Sequence, residues 1–168
     1  MPLMYIKKID MPDEKFSENT PDKFVCSNIT SLYGNYDSKW VKNPEIKNIA
    51  TEGYGNAIVN PFENFMATYS SGAKMSFEFS GTRILVNGLT SKYGRYGTYE
   101  IKDENGNVET SGSCKSYTSP NYWYENILLT AFGLPDGKHT LEITISNDEQ
   151  ADEEGYMFGI GEIWVDEE

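Results

Sequence analysis

Aromatic residues gather in three stretches whose glycine, proline and polar neighbours are typical of loops. Tyr54 lies in a Tyr-Gly-Asn turn, and the other stretches cover residues 92–96 and 117–124. Sugar rings present C–H faces that stack on tyrosine and tryptophan, while asparagine, arginine and glutamate hydrogen-bond the hydroxyls. Loops at one end of a domain are where such a site forms. The candidate ligand-binding residues are Tyr54, Tyr93, Arg95, Tyr96, Tyr122 and Trp123.

Two other interpretations of these aromatic loops stay open. Tyrosine, tryptophan and arginine also dominate the energetically important positions of protein interfaces, so the same set suits a protein partner. Alternatively, Trp123 and Tyr124 turn inward and cap the core, and Tyr93 and Tyr96 do the same. Residue type alone does not separate a sugar site, a protein interface and a capped core.

The sequence contains few candidate catalytic residues. His139 is the single histidine, and it enters a strand directly after the Gly137 turn, which indicates a structural role. A Cys26 or Cys114 nucleophile would need that histidine nearby as its base. With 26 acidic residues, some carboxylate pair always has a suitable spacing, so such pairs carry no information. We expect no catalytic residues, and the two cysteines are either a disulfide or two buried thiols.

An acidic stretch over residues 148–155 precedes the predicted last strand. Clustered carboxylates are the oxygen ligands that calcium prefers, but the Asp/Asn ladder and central glycine of an EF-hand are missing. A solvated loop is the expectation, with Ca²⁺ binding or docking on a basic partner surface as alternatives. No other metal or cofactor is predicted.

The net charge of −12 restricts the possible partners. Binding to nucleic acid needs clustered lysine and arginine, so we expect no nucleic-acid partner, and an anionic membrane surface is also excluded. A neutral ligand, a cation or a basic protein remains. The first residues contain no apolar signal-peptide core, and no stretch is long enough for a transmembrane helix, so no membrane insertion is expected.

Period-two alternation of apolar and polar residues indicates β-strands. It is clear over residues 75–80 and 139–146, and Asp-Glu-Asn-Gly at 103–106 predicts a hairpin turn. No ten-residue segment has helical periodicity. These short strands predict an all-β, antiparallel β-sandwich, in which the strands containing Phe77 and Leu141 supply facing layers of the core.

The first part of the chain differs from the rest. Pro2, Pro12 and Pro21 interrupt charged, turn-forming residues, and proline cannot donate to a strand ladder. We therefore predict an extended N-terminal arm over residues 1–24 and one β-sandwich binding domain over residues 25–168. A domain of that length buries a core without disulfides or metal.

Four segments resemble, in order, the galactose-binding-like jelly-roll family. The first is ITSLYGNYDSKW at 29–40, which looks like the opening strand of that family, in which a polar residue, tyrosine and glycine are followed by variable residues and tryptophan. SGAKMSFEFSGTRI at 71–84 resembles its small-Gly-Ala strand block, and GRYGTYEI at 94–101 its glycine–aromatic strand. GLPDGKHTL at 133–141 is similar to its strand entry in which Gly-Leu, a turn and a glycine precede His-Thr-Leu. The resemblance covers about four-fifths of the chain.

The resemblance implies a jelly roll but leaves the function open, because that family includes carbohydrate-binding modules, accessory domains of esterases and glycosidases, and phage virion modules. The arm, the acidic end and the missing signal peptide favour a non-catalytic structural or binding protein of a larger assembly. It would be an oligomeric or assembly-bound phage virion (capsid or tail) decoration or adhesion module, bound to other subunits, to surface glycan or to both. The alternative is a stand-alone carbohydrate-binding module that recognises a surface glycan through loop aromatics. Either protein would act on a virion or an extracellular surface.

Overall fold

The computed structural model of this chain describes residues 24–28, 34–42, 44, 62, 65–120, 123–146 and 156–166. These residues form eleven β-strands, which confirms the all-β prediction. The strands are β1 (Phe24–Asn28), β2 (Gly34–Tyr36), β3 (Trp40–Lys42), β4 (Met66–Thr68), β5 (Lys74–Ser80), β6 (Ile84–Thr90), β7 (Tyr96–Asp103), β8 (Val108–Lys115), β9 (Tyr124–Ala131), β10 (Lys138–Ile145) and β11 (Phe158–Asp166). Within the described ranges, no helix has the length and apolar character needed to cross a membrane.

The strands build two antiparallel sheets. The first sheet has the order β3-β4-β11-β6-β9, and the second has the order β2-β5-β10-β7-β8. On one side of β11, β4 pairs with residues 158–160 and β1 with residues 162–166, while β6 takes the other side. Consequently β9 lies at one edge of the first sheet and β8 at one edge of the second.

Alternating side chains of the two sheets meet in one hydrophobic core. Strands β5 and β10 bury every second residue, as their period-two pattern predicts. Full burial of one such aliphatic or aromatic side chain contributes about 1.5–3 kcal/mol relative to exposure. The core cluster includes Trp40, Met75, Phe77, Phe79, Ile84, Val86, Ile101, Leu141, Ile143, Ile145, Phe158, Ile160 and Ile163.

The prediction that the Phe77 and Leu141 strands supply facing layers is wrong. Leu141 lies directly opposite Phe77 in the ladder that joins β10 to β5, so both belong to the same layer. The facing layer comes from β6 and β11 of the other sheet. Alternation identifies the buried face of a strand, but it does not say which strand lies beside it or above it.

The β7–β8 hairpin is confirmed, with its turn at the end of β7 away from Tyr96. The Asp103 carboxylate accepts hydrogen bonds from the backbone amides of Asn105 and Asn107, both at 2.9 Å. The backbone and side-chain amides of Asn107 lower the pKa of Asp103. Gly106 adopts φ 85°, a conformation that favours glycine, which explains the Asn-Gly pair.

A second apolar cluster lies on the face of the first sheet that points away from the core. Ala67 of β4 and Leu89 of β6 flank Gly159 of β11 on that face. A Cβ atom at Gly159 would lie 2.5 Å from the Phe65 ring, and one at Gly161 would overlap the Phe62 ring. The glycines of β11 therefore provide the space that two phenylalanine rings fill. The cluster consists of Phe62, Phe65, Ala67, Leu89, Trp123 and Met157.

Replacing Gly161 by alanine should destabilise the fold, because the new methyl group must displace the Phe62 ring. We expect the free energy of unfolding, measured by urea denaturation, to fall by about 1–3 kcal/mol. Combining this change with Phe62→Leu should cost less than the sum of the two single changes, since the smaller side chain leaves room for the methyl group. If the losses in the free energy of unfolding were strictly additive, the Phe62 ring would not pack against Gly161.

Candidate functional site

Two of the aromatic stretches converge at one end of the sandwich. Segments 91–96 and 116–120 lie side by side, and the backbone amide of Lys92 donates to the carbonyl oxygen of Pro120 at 2.7 Å. At Gly94 a Cβ atom would overlap a backbone carbonyl of the second segment, so only glycine permits this approach. The aromatic residues of both segments are thereby brought to the same end of the molecule.

Arg95 is fully buried beneath these loops. Its guanidinium donates to the carbonyl oxygen of Tyr69, to the Ser71 hydroxyl at 2.7 Å and to the carbonyl oxygen of Ser146 at 3.3 Å. A buried cation is tolerated only where hydrogen bonds replace its water shell. The planar fork of arginine suits several acceptors at fixed angles, and here it joins the segments before β5 and after β10.

The backbone of Arg95 adds two further segments to this junction. Its amide donates to the carbonyl oxygen of Met157 at 3.0 Å, and its carbonyl accepts from the amide of Ser116 at 2.8 Å. The residue that we expected to hydrogen-bond a ligand therefore holds the surrounding loops in place.

Trp123 is also buried, with 1% of its surface exposed, and it packs in the second apolar cluster. Tyr93 is half-buried against the same cluster. Its ring makes an edge contact with Tyr156 at 5.6 Å between centroids, and the Lys92 ammonium lies 5.1 Å from the Tyr93 centroid. This part of the loop end presents an aromatic pair with a cation above it.

A second aromatic pair lies at the entrance of β7. The rings of Tyr96 and Tyr117 are stacked, with centroids 5.5 Å apart and planes 23° apart, and Tyr96 is 39% exposed. Both line a cavity of about 380 Å³ between edge strands β8 and β9, here called the tyrosine cleft. Its lining also includes Thr90, Ser113, Lys115, Thr118 and Asn126.

The structure divides the predicted ligand-binding residues into three groups. Tyr54 and Tyr122 lie outside the described residues. Arg95 and Trp123 are buried, and Tyr93 and Tyr96 reach the surface.

Sequence reasoning missed the other residues of the tyrosine cleft. Tyr117 stands in the aromatic stretch that the sequence singles out, so its type and position were available signals. Lys115 and Asn126 carry no such signal, because they meet Tyr96 only through the pairing of β7 with β8 and the course of β9.

His139 has a structural position. Its Nδ1 lies 2.5 Å from a carboxylate oxygen of Glu109, and its Nε2 lies 2.9 Å and 2.8 Å from the carbonyl oxygens of Gly81 and Pro135. The side chain is buried, and its ring packs 5.2 Å from that of Phe79. Both ring nitrogens thus face partners that tie two turns to β8.

Cys114 is a free, buried thiol. It therefore forms no disulfide with Cys26, which was one of the two predicted states of the cysteines. Burial raises the pKa of the Cys114 thiol to about 12, which keeps it neutral at ordinary pH. Glu109, which contacts His139, stands five residues earlier on β8, roughly 16 Å away along the strand. A thiolate–imidazole pair between Cys114 and His139 is therefore excluded.

The outer face of the β2-β5-β10-β7-β8 sheet contains a larger hollow, of about 820 Å³. Lys102 lies in it, 2.5 Å from a carboxylate oxygen of Glu142 and 3.6 Å from one of Glu100. The hydrogen bond with Glu142 raises the pKa of Lys102. Among the described residues, the rings that line this hollow are Phe79 and His139, and both are buried, so these residues offer charges but no exposed ring for stacking.

In the part of the chain that the structure describes, no group of three or more histidine, cysteine, aspartate or glutamate side chains is arranged to hold a metal ion. The predicted acidic loop over residues 148–155 lies outside that part, so Ca²⁺ binding there stays a prediction.

The sequence matches no protein-family model and no curated protein. Solved structures match the fold. A two-domain esterase active on acetylated mannans, co-crystallised with mannopentaose, matches with a TM-score of 0.59 and 11% identity over 90% of this chain. This chain covers 38% of that esterase chain, and so spans well under half of its length.

Carbohydrate-binding modules match over most of their own length, with lower scores. The module CBM36 in complex with calcium and xylotriose has a TM-score of 0.46 and 14% identity, over 84% of this chain and 98% of that one. The CBM36-1 domain of a multidomain xylanase from the hindgut metagenome of Trinervitermes trinervoides has a TM-score of 0.46 and 16% identity, over 84% and 94%.

At these identities the likeness is one of fold alone. Together with the two antiparallel sheets, it confirms the predicted antiparallel β-sandwich fold.

The buried thiol of Cys114 should resist modification in the folded protein. In a Cys26→Ser variant at pH 8, we expect Ellman's reagent to release almost no chromophore until denaturant is added, because a neutral thiol without solvent access is a poor nucleophile. After unfolding, one equivalent should react. Rapid reaction of the native variant would mean that the thiol is exposed or ionised.

Removing the guanidinium of Arg95 should destabilise the loop end, because three acceptors lose their donor. We expect Arg95→Met to lower the free energy of unfolding by about 2–4 kcal/mol. The exposed neighbour Lys92 provides the control, since Lys92→Met should change stability by less than about 0.5 kcal/mol. If Arg95→Met unfolds like the control, the guanidinium does not hold these segments.

Proposed function

We propose that this chain is a non-catalytic carbohydrate-binding domain whose ligand lies in the tyrosine cleft between β8 and β9. The observation that carries the proposal is the stacked pair of Tyr96 and Tyr117 at the wall of a cavity of about 380 Å³. A cavity of that size lies within the range of small-ligand sites.

The lining of the cleft matches the chemistry of a sugar. The partly exposed ring of Tyr96 offers an apolar face for the C–H side of a pyranose, and the stack with Tyr117 keeps that ring in one orientation. The Ser113 hydroxyl and the amide of Asn126 supply donors and acceptors for sugar hydroxyls. An apolar face beside a few polar groups is what such recognition requires.

The net charge supports a neutral glycan. A chain with a formal charge of −12 repels polyanions at long range, whereas an uncharged sugar is unaffected. Lys115 is the charged residue of the cleft lining, and the strongly charged hollow around Lys102 lies on the outer face of the sheet.

A binding function also agrees with the state of the reactive side chains. His139 is enclosed by Glu109 and two carbonyl oxygens, and the Cys114 thiol is neutral. Neither group is positioned to activate a nucleophile. The esterase with the similar fold acts on acetylated mannans, and mannan fragments are therefore reasonable first probes for this chain.

The likeness of fold favours a carbohydrate-binding domain over the role in a phage virion that the sequence analysis favoured. Neither the esterase nor the carbohydrate-binding modules named above are described as parts of a particle. Membership of a phage assembly, oligomerisation and residence on an extracellular surface stay predictions.

Tyr96→Ala and Tyr117→Ala should each weaken glycan binding by about tenfold or more, since each removes part of the stacking surface. A glycan array, run with and without calcium, identifies the ligand, and calorimetric titration with mannopentaose or the best array sugar measures the affinity. Calcium dependence would implicate the acidic loop.

Tyr36→Ala is the matched control, because Tyr36 is 56% exposed and lies on β2, at the other edge of the second sheet. This variant should bind like the unmodified chain. A blank array, or equal affinity of all three variants, would remove the tyrosine cleft as the site.

A further inference from the structure

A second cavity lies further along the line where β8 faces β9, here called the seam. Its volume is about 430 Å³, and its lining comes from the same two edge strands and from the turn after β9. Residues 109–110 of β8 and 130–131 of β9 form its walls, whereas residues 113–115 and 126–128 form those of the tyrosine cleft. The two cavities therefore occupy the two halves of one seam.

The stretch of β8 between the two cavities contains little that would separate them. Gly112 stands there without a side chain and is exposed. A Cβ atom at Gly112 would lie 3.0 Å from the Tyr99 ring, so that ring closes the space beneath the glycine. Tyr99 also lines the second cavity, so the ring that lies beneath Gly112 belongs to the wall of that cavity.

The described residues that line the seam carry little uncompensated charge. Lys115 at one end and Glu109 at the other are the charged residues among those that line the two cavities. Glu109 is already paired with His139 at 2.5 Å. Between them lie hydroxyl groups of Thr110, Ser113 and other small side chains, which bond neutral hydroxyls without selecting a charge.

From this geometry, and on the basis of the proposed function, we infer that the binding groove runs along the whole seam and takes an internal stretch of a neutral, linear polysaccharide. Strand β8 has eight residues, so the groove is about 23 Å long, which accommodates several consecutive sugar units. A site for a chain end would need one enclosed cavity, whereas two cavities in line suit a chain that enters at one end and leaves at the other.

The inference predicts that affinity depends on ligand length. Calorimetric titrations use manno-, xylo- and gluco-oligosaccharides of two to six units. For the series that binds, the unmodified chain should bind the longest member about tenfold or more tightly than the shortest, because added units reach the second cavity.

Thr110→Arg should remove this gain and leave the affinity for the shortest ligand unchanged, since a long side chain fills only the second cavity. Thr130→Arg obstructs the same cavity from β9 and should act alike, so one variant suffices if the other fails to fold. Thr140→Arg, on the outer face of β10, is the control and should keep the full gain. Melting temperatures establish that each variant is folded.

The outcomes separate the two proposals. Equal affinity for short and long ligands, or an undiminished gain in the folded Thr110→Arg and Thr130→Arg variants, would overturn the extended groove and leave sugar binding in the tyrosine cleft intact. Failure of the unmodified chain to bind any member of the three series would overturn both.

Discussion

The loop end of this sandwich depends on one buried cation. The Arg95 guanidinium has no access to solvent, and its hydrogen bonds to Tyr69, Ser71 and Ser146 help to compensate for the water that it has lost. These acceptors belong to segments that are distant in sequence, and each must therefore keep its place for the charge to be satisfied. Because Arg95 stands directly before Tyr96, the same constraint fixes the point at which β7 begins and the Tyr96 ring emerges.

Much of the fold was predictable from local patterns. The β7–β8 hairpin follows from residues 103–106, and the buried faces of β5 and β10 follow from alternation within each strand. The neighbours of a strand are not a local property. The pairing of Phe77 with Leu141 depends on the path of the whole chain between them. The sequence therefore predicted correctly which face of each strand is buried, but it did not show that the two strands belong to the same layer.

The candidate site shows the same limit at the level of side chains. Arginine, tryptophan and tyrosine all combine an apolar body with a polar group, and they suit either a covered or an exposed position. Whether Trp123 is covered depends on Phe62, Phe65 and Met157, which no motif connects with it. Composition could therefore identify the aromatic loops, but it could not distinguish Trp123 from Tyr96. Only the register of β7 with β8 places Lys115 opposite Tyr96.

The groove at the seam lies where an edge strand of one sheet, β8, faces an edge strand of the other, β9. Exposed edge strands invite pairing with other chains, and bulges are a common protection against it. Both strands of the seam contain a bulge. In β8 it lies at Glu109, where β8 pairs with β7, and in β9 it lies at Leu128, where β9 pairs with β6. A bulge also re-aims a side chain, and Glu109 is turned to His139 while Leu128 joins the core. Leu128 thus covers the core at this edge. The space between β8 and β9 can therefore stay open to a ligand while the core remains buried.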